Sequence, residues 1–219
     1  MPTTGVVDNV MAEYVSGGIE KGAQDGAAAV VVELNTPGGA LEATSRITSA
    51  LLEAPVPTIV WVAPSDGRAA SAGTFITLSA NLAFMAEGTN IGAASPVDSS
   101  GGDIPGTLGQ KVKNDAIANI TAIAEARGRN VAWAVSTVAE AKSYPASEAV
   151  AAGAVDWIAN TIREVLVSSS GRTVSVRDQD VTLELARADV RDLSMNPIQG
   201  LLHILSDPNV VFILFTIGF

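Results

Sequence analysis

Cysteine is absent from the 219-residue chain, and histidine occurs once, at position 203. Without cysteine there is no disulfide framework, no thiolate nucleophile and no cysteine-ligated metal, and a lone histidine nearly removes zinc sites and histidine-based triads. Charged residues are sparse, at 16 %, and lean one way: 13 basic against 23 acidic side chains give a net charge of −10. Such a chain repels phosphate backbones, so no nucleic-acid partner is expected. Met1-Pro2-Thr3-Thr4 has neither the basic nor the apolar region of an export signal. Long apolar runs are missing until Val210–Phe219. Ten residues at 1.5 Å rise cannot cross a hydrocarbon core that needs ~20. The run reads as the start of a membrane span in a fragment of a longer protein, with a buried C-terminal strand as the alternative.

What is present is a core. Hydrophobic residues make up 47 % of the chain, enough for one packed domain plus an appendage and too many for a disordered chain. Helix-like and strand-like runs alternate. Val10–Asp25 is helical by spacing, and Ala28–Leu34 is a short β-branched strand that feeds the turn Asn35-Thr36-Pro37-Gly38-Gly39. A helix over Leu41–Glu53, a strand over Thr58–Val62, a helix from about Ser71 and a strand over Leu82–Met85 follow. The order predicts an α/β domain with a largely parallel sheet.

Residues 95–109 are rich in Gly, Pro, Ser and Asp and read as a lid-like loop ahead of a helix over Lys111–Arg127. A short helix from Pro145 and a strand over Ala154–Ile158 close the domain at about residue 162. In 163–192 the pattern predicts a polar-faced hairpin outside the main core, Thr173–Val176 against Val181–Leu185 with a turn at Asp178–Asp180. In 193–219 an amphipathic segment leads to the apolar run, with His203 at the membrane surface. Trp61, Trp133 and Trp157 follow no periodicity and are expected in the core or an interface. Asn119-Ile120-Thr121 matches a glycosylation acceptor but lies within the strongest helix, and the Gly38-Gly39 turn lacks the spacing of a nucleotide-binding loop.

Three features bear on chemistry. The double glycine after a buried strand suits a backbone N–H aimed at an anionic oxygen. Ser71, between Ala70 and Ala72 at a helix N-terminus, has no bulky neighbour and favours developing negative charge nearby. Lys111 and Lys113 precede a helix. Singly, each has an ordinary structural explanation as a tight turn, a cap or a solvated charge.

Together, GRAASAGTFITLSAN (67–81), VVELNTPGG (31–39), KVKNDAIANITAIAEARGRN (111–130) and Ser206-Asp207-Pro208-Asn209-Val210 resemble the NfeD-type membrane-bound serine proteases, relatives of ClpP and signal peptide peptidase A. The resemblance implies a ClpP/crotonase-like spiral of ββα units, with Ser71 as nucleophile and Lys111 as general base. It puts the oxyanion hole at the backbone N–H groups of Gly39 and Ala72, and it implies no metal or cofactor. It further implies a homodimer, membrane-anchored with its protease domain extracytoplasmic, that cleaves hydrophobic segments of stomatin-like (band 7) membrane proteins. Against the family's pattern, the chain begins just before the first helix, with most of the first strand missing. A non-catalytic scaffold that binds stomatin-like partners through the same groove is the alternative reading.

Elementary chemistry agrees on the base, because the single histidine lies far along the chain from Ser71. A lysine serves only if burial lowers its pKa from ~10.4 toward ~8, which costs ~3 kcal/mol of differential solvation. Apolar surroundings at Val112, Ala116 and Ile117 are expected to supply that. Helical periodicity alone favours Lys113, whereas the first residue of a helix, as Lys111 is expected to be, need not follow the wheel. Lys113 therefore stays as competitor to Lys111.

Overall fold

A computed structural model describes residues 1–98 and 101–218, with the backbone alone for Pro208, Asn209, Ile217 and Gly218. Its centre is a five-stranded sheet in the order β1 (Pro2–Thr4), β2 (Val30–Asn35), β3 (Thr58–Val62), β5 (Leu82–Met85), β8 (Trp157–Ile158). Each paired neighbour in it runs parallel. The first strand, expected to be mostly missing, is present as three residues paired with Glu33–Asn35. Parallel strands covered on both faces need apolar side chains on both, which is why β3 and β5 read as unbroken apolar runs. Val60, Val62, Ala83 and Met85 face one cluster of buried side chains; Ile59, Trp61, Leu82 and Phe84 face another.

The first and larger cluster lies under α1 (Asn9–Gln24), α2 (Leu41–Leu52), α3 (Ala72–Ser79), α4 (Gly106–Ala126) and α5 (Val131–Ala139). The second is closed by α7 (Ile162–Ser169), which contributes Val165 and Leu166, and by Val174, Val176, Leu183 and Leu185. The expected hairpin exists as β9 (Thr173–Val176) and β10 (Gln179–Thr182). Two of its features differ from expectation. It turns at Arg177 and Asp178, both at positive φ of 49° and 63°, the geometry of a two-residue turn matched to strand twist. It also packs onto the sheet: its alternate residues are apolar and fill the second face, so it forms part of a core.

A second, three-stranded sheet joins β4 (Arg68–Ala70), β6 (Asn90–Gly92) and β7 (Ser143–Pro145), the last leading into the short α6 (Ala146–Ala151). Its role is to hold the segment before α3. Thr36 N–H donates to the Arg68 carbonyl at 2.8 Å, and Ala70 N–H donates to the Thr36 carbonyl at 3.1 Å. The turn after β2 and the turn before α3 are thereby tied together. Behind them, the buried Arg129 guanidinium donates to the Leu78, Ala80 and Ala154 carbonyls and pairs with Asp156 at 3.1 Å, fixing the far end of α3.

Beyond the hairpin, Tyr14 on α1 donates its hydroxyl to the Leu193 carbonyl at 2.5 Å. Helix α8 (Pro197–Leu205) and helix α9 (Pro208–Gly218) follow. His203, expected at a membrane surface, is instead tucked against the domain. Its Nδ1 lies 2.9 Å from Asp8 Oδ2 and its Nε2 lies 2.9 Å from the Thr4 carbonyl. Both partners offer an acceptor oxygen, so a ring nitrogen that carries a proton can donate to either of them. The other oxygen of Asp8 caps α1 by accepting from Met11 N–H at 2.7 Å. Phe212 and Phe215 of α9 are exposed. Among the described residues no single helix is long and apolar enough to cross a membrane; α8 and the 210–216 part of α9 reach that length together, with a bend of 71°.

Candidate active site

The turn after β2 and the start of α3 meet in a close backbone contact. Gly38 sits at φ +118°, and a Cβ added there would lie 2.8 Å from Ser71 Cβ. Gly39 forms a bridge with Val7, and a Cβ on it would lie 2.2 Å from the Val7 carbonyl oxygen. The two glycines therefore do different work. Gly38 lets the chain pass over the Ser71 side chain, and Gly39 lets it pair with the segment after β1.

Ser71 itself is left-handed, at φ 50° and ψ −112°. A serine there costs about 1–3 kcal/mol and persists only where its surroundings impose it. Here they do: Ser71 N–H donates to the Gly92 carbonyl at 2.8 Å, and its carbonyl accepts from Thr74 N–H at 2.9 Å. Thr74 Oγ1 donates to the Ala69 carbonyl at 3.0 Å from within the core. The sharp turn presents the serine side chain to a cavity of about 300 Å³ that Gly39 and Ala72 also line. Among the described residues the Ser71 hydroxyl makes no hydrogen bond, and neither the Gly39 nor the Ala72 N–H finds an acceptor. Ala72 is the first residue of α3, where the N–H groups of a helix lack internal partners and the dipole favours negative charge. The expected nucleophile and both expected oxyanion donors thus share one cavity.

The lysines do not complete it. Helix α4 begins at Gly106 rather than Lys111, so the lid-like loop is shorter than expected at its C-terminal end; Ser99 and Ser100 within it lie outside the described residues. Lys111 consequently sits in the second turn and obeys the helical wheel. Val112, Asp115, Ala116 and Asn119 form the face of α4 that lines the cavity. Lys111 and Lys113 each lie about 100° from Val112, on opposite sides. Lys111 is exposed and Lys113 half-buried, and neither lines the cavity. The apolar enclosure expected around Lys111 is absent among the described residues.

Two carboxylates that sequence reasoning passed over, Glu42 and Asp115, do line the cavity. No local signal marks them, since each sits on the polar side of an amphipathic helix, where acids are commonplace. Among the described residues no group of histidine, aspartate or glutamate side chains is placed to hold a metal ion.

The pattern of the NfeD1b N-terminal domain matches residues 1–192. The chain belongs to the NfeD1b family. Membrane-bound protease PH1510 of Pyrococcus horikoshii is 36 % identical over 199 residues, which cover 89 % of this chain and 45 % of that protein. Membrane protein NfeD1b of Bacillus subtilis is 30 % identical over 101 residues, covering 46 % of this chain and 22 % of its own. This NfeD1b chain thus spans less than half the length of these relatives. Among solved structures, the 1510-N membrane-bound stomatin-specific protease, in a lysine-to-alanine form bound to a substrate peptide, superposes with a TM-score of 0.86 at 30 % identity. The match covers 93 % of this chain and 94 % of that one. A serine-to-alanine form of the same protease gives a TM-score of 0.83 at 32 % identity, covering 89 % and 96 %. The α/β fold with its parallel sheet core is therefore that of the 1510-N protease.

Proposed function

We propose that this NfeD1b domain is a serine endopeptidase working through a Ser71–Lys111 dyad on apolar segments of stomatin-like membrane proteins. The observation that carries the reading is the strained Ser71, whose hydroxyl makes no hydrogen bond among the described residues and shares one cavity with the Gly39 and Ala72 N–H groups, which find no acceptor there. Ser71 Oγ attacks the peptide carbonyl while the neutral Lys111 amine takes its proton. The tetrahedral oxyanion is held by Gly39 and Ala72 N–H. The C–N bond then breaks, the departing amine receives the proton from Lys111, and water hydrolyses the acyl-enzyme by the same relay.

Support for a lysine base comes from the relative, in which a serine and a lysine were each replaced by alanine to obtain the structures. Their separation in that chain differs by one residue from that of Ser71 and Lys111, and by one in the other direction from that of Ser71 and Lys113. The resemblance at KVKND favours Lys111. Because Lys111 is exposed in the isolated chain, its neutral form has to be stabilised by burial that arrives with the substrate or with a second protomer. The exposed apolar side chains of α8 and α9 support anchoring at a membrane; placing the domain on its extracytoplasmic face rests on the family resemblance.

Labelling with a serine-directed fluorophosphonate, located by mass spectrometry, tests the reading. The expected adduct is on Ser71, and Ser71→Ala removes both label and cleavage of an apolar peptide, a loss of roughly 10⁴-fold or more. Cleavage that survives in Ser71→Ala overturns it.

A further inference from the structure

The cavity beside Ser71 is two-toned. Its inner wall is apolar, with Phe75, Ala94 and Ala116 buried. Its exposed rim carries Glu42, from the first turn of α2, and Asp115, from α4. No lysine, arginine or histidine is among the lining residues, and among the described residues neither carboxylate has a cationic partner within 4 Å. The two acids approach the opening from different helices, so their negative potential adds at the opening and not along one helix surface. A peptide bound with its carbonyl at Gly39 and Ala72 places one side chain against the apolar wall and its neighbours at the rim.

We infer that Glu42 and Asp115 are specificity-determining residues that select an apolar residue flanked by lysine or arginine at the scissile bond. This rests on the reading of Ser71 as nucleophile. The substrate class is then an apolar segment bordered by basic residues, the pattern found where membrane segments meet water, and a uniformly apolar stretch is a poorer match. Exposed ion pairs are individually weak and salt-screened, so the preference is modest and disappears as ionic strength rises.

Matched fluorogenic peptides sharing one apolar core, flanked by lysine or by glutamine, give the test. At low salt the lysine-flanked peptide is expected to show a kcat/KM about tenfold higher. Glu42→Gln and Asp115→Asn each lower that ratio roughly threefold, and together they bring it to about one. Glu20→Gln, on the exposed side of α1, leaves the ratio as it was. Raising the salt concentration collapses the ratio in the unmodified protein and does nothing further in the double variant. Binding of the same peptides to Ser71→Ala, followed by fluorescence anisotropy, reads the same ratio without turnover. Failure of all cleavage overturns the protease reading alone. Equal binding of the two peptides, or a preference that survives the double substitution, overturns the assignment of Glu42 and Asp115.

Discussion

The two walls of the Ser71 cavity are built by different means. On the Ser71 side, four backbone segments interlock at three crossings: Val7 against Gly39, Thr36 against Arg68 and Ala70, and Ser71 against Gly92. Side chains are excluded from two of these crossings, so the serine and its two N–H donors have almost no freedom. On the α4 side, a single helix offers Val112 to the cavity and leaves Lys111 and Lys113 on either flank, with no hydrogen bond tying either lysine down among the described residues. An oxyanion hole acts through fixed dipoles, which lose their value if they must reorganise. A lysine base acts only when desolvated, and Lys111 stands on the exposed edge of α4.

The comparison is broken most sharply by the two lysines. Lys111→Ala is expected to lower kcat for an apolar peptide by about 10²–10⁴-fold, the usual contribution of a positioned base. Lys113→Ala is expected to stay within about threefold, as for a surface substitution. Fluorophosphonate labelling rates of the two variants rank them independently of peptide binding. The opposite ranking favours Lys113 as the base, and equal small effects show that the α4 wall holds no base at all.

The rigid wall is tested by its glycines. Gly39→Ala sets a Cβ 2.2 Å from the Val7 carbonyl oxygen and 2.5 Å from Val7 N, where backbone cannot give way. The expected cost is about 3 kcal/mol or more, seen as a lower urea midpoint. Gly38→Ala meets Ser71 Cβ at 2.8 Å and carries the backbone strain of φ +118°, so it is expected to cost stability as well and to displace the serine. Loss of Ser71 labelling under conditions where the protein is still fully folded is the signature of Gly38→Ala. A stable, fully labelled Gly39→Ala protein contradicts the steric account of this wall.

The same contrast explains how far sequence carried. The short apolar runs of β2, β3 and β5 and the periodic long helix α4 were legible because burial on two faces demands unbroken apolar strands and burial on one face imposes a helical period. Gly38, Gly39, Ser71 and Ala72 were legible because a steric constraint leaves few residues able to stand there. The extra turn of α4 from Gly106 to Gln110 was hidden, since Gly106, Thr107 and Gly109 are poor helix formers, and with it went the placement of Lys111. The packing of the hairpin on the sheet was hidden too. Val174, Val176, Leu183 and Leu185 alternate with polar residues, and alternation cannot say which surface the apolar side meets. His203 misled for a related reason: its partners Asp8 and Thr4 lie at the other end of the chain, beyond any local pattern.

The smallest effect concerns the strap that joins the hairpin to α8 and lies over α1. Burial, with a smaller contribution from Asp192, pushes the Tyr14 phenol up to about 12, and its hydroxyl donates to the Leu193 carbonyl. The neutral phenol is the form the fold favours, so its contribution is complete below pH 10, where a phenol in the unfolded chain is still protonated. It fades between pH 10 and 12 as the unfolded state ionises first, and it is gone above the folded value. At pH 9 the unmodified protein is expected to exceed Tyr14→Phe by about 1 kcal/mol, the net value of such a hydrogen bond. With the pH raised toward 12 the two urea midpoints converge, because phenylalanine has nothing to ionise. Parallel midpoints across that range mean that Tyr14 is not held at Leu193 in solution, which would place the strap with the loosely fixed wall of the molecule and not with the interlocked one.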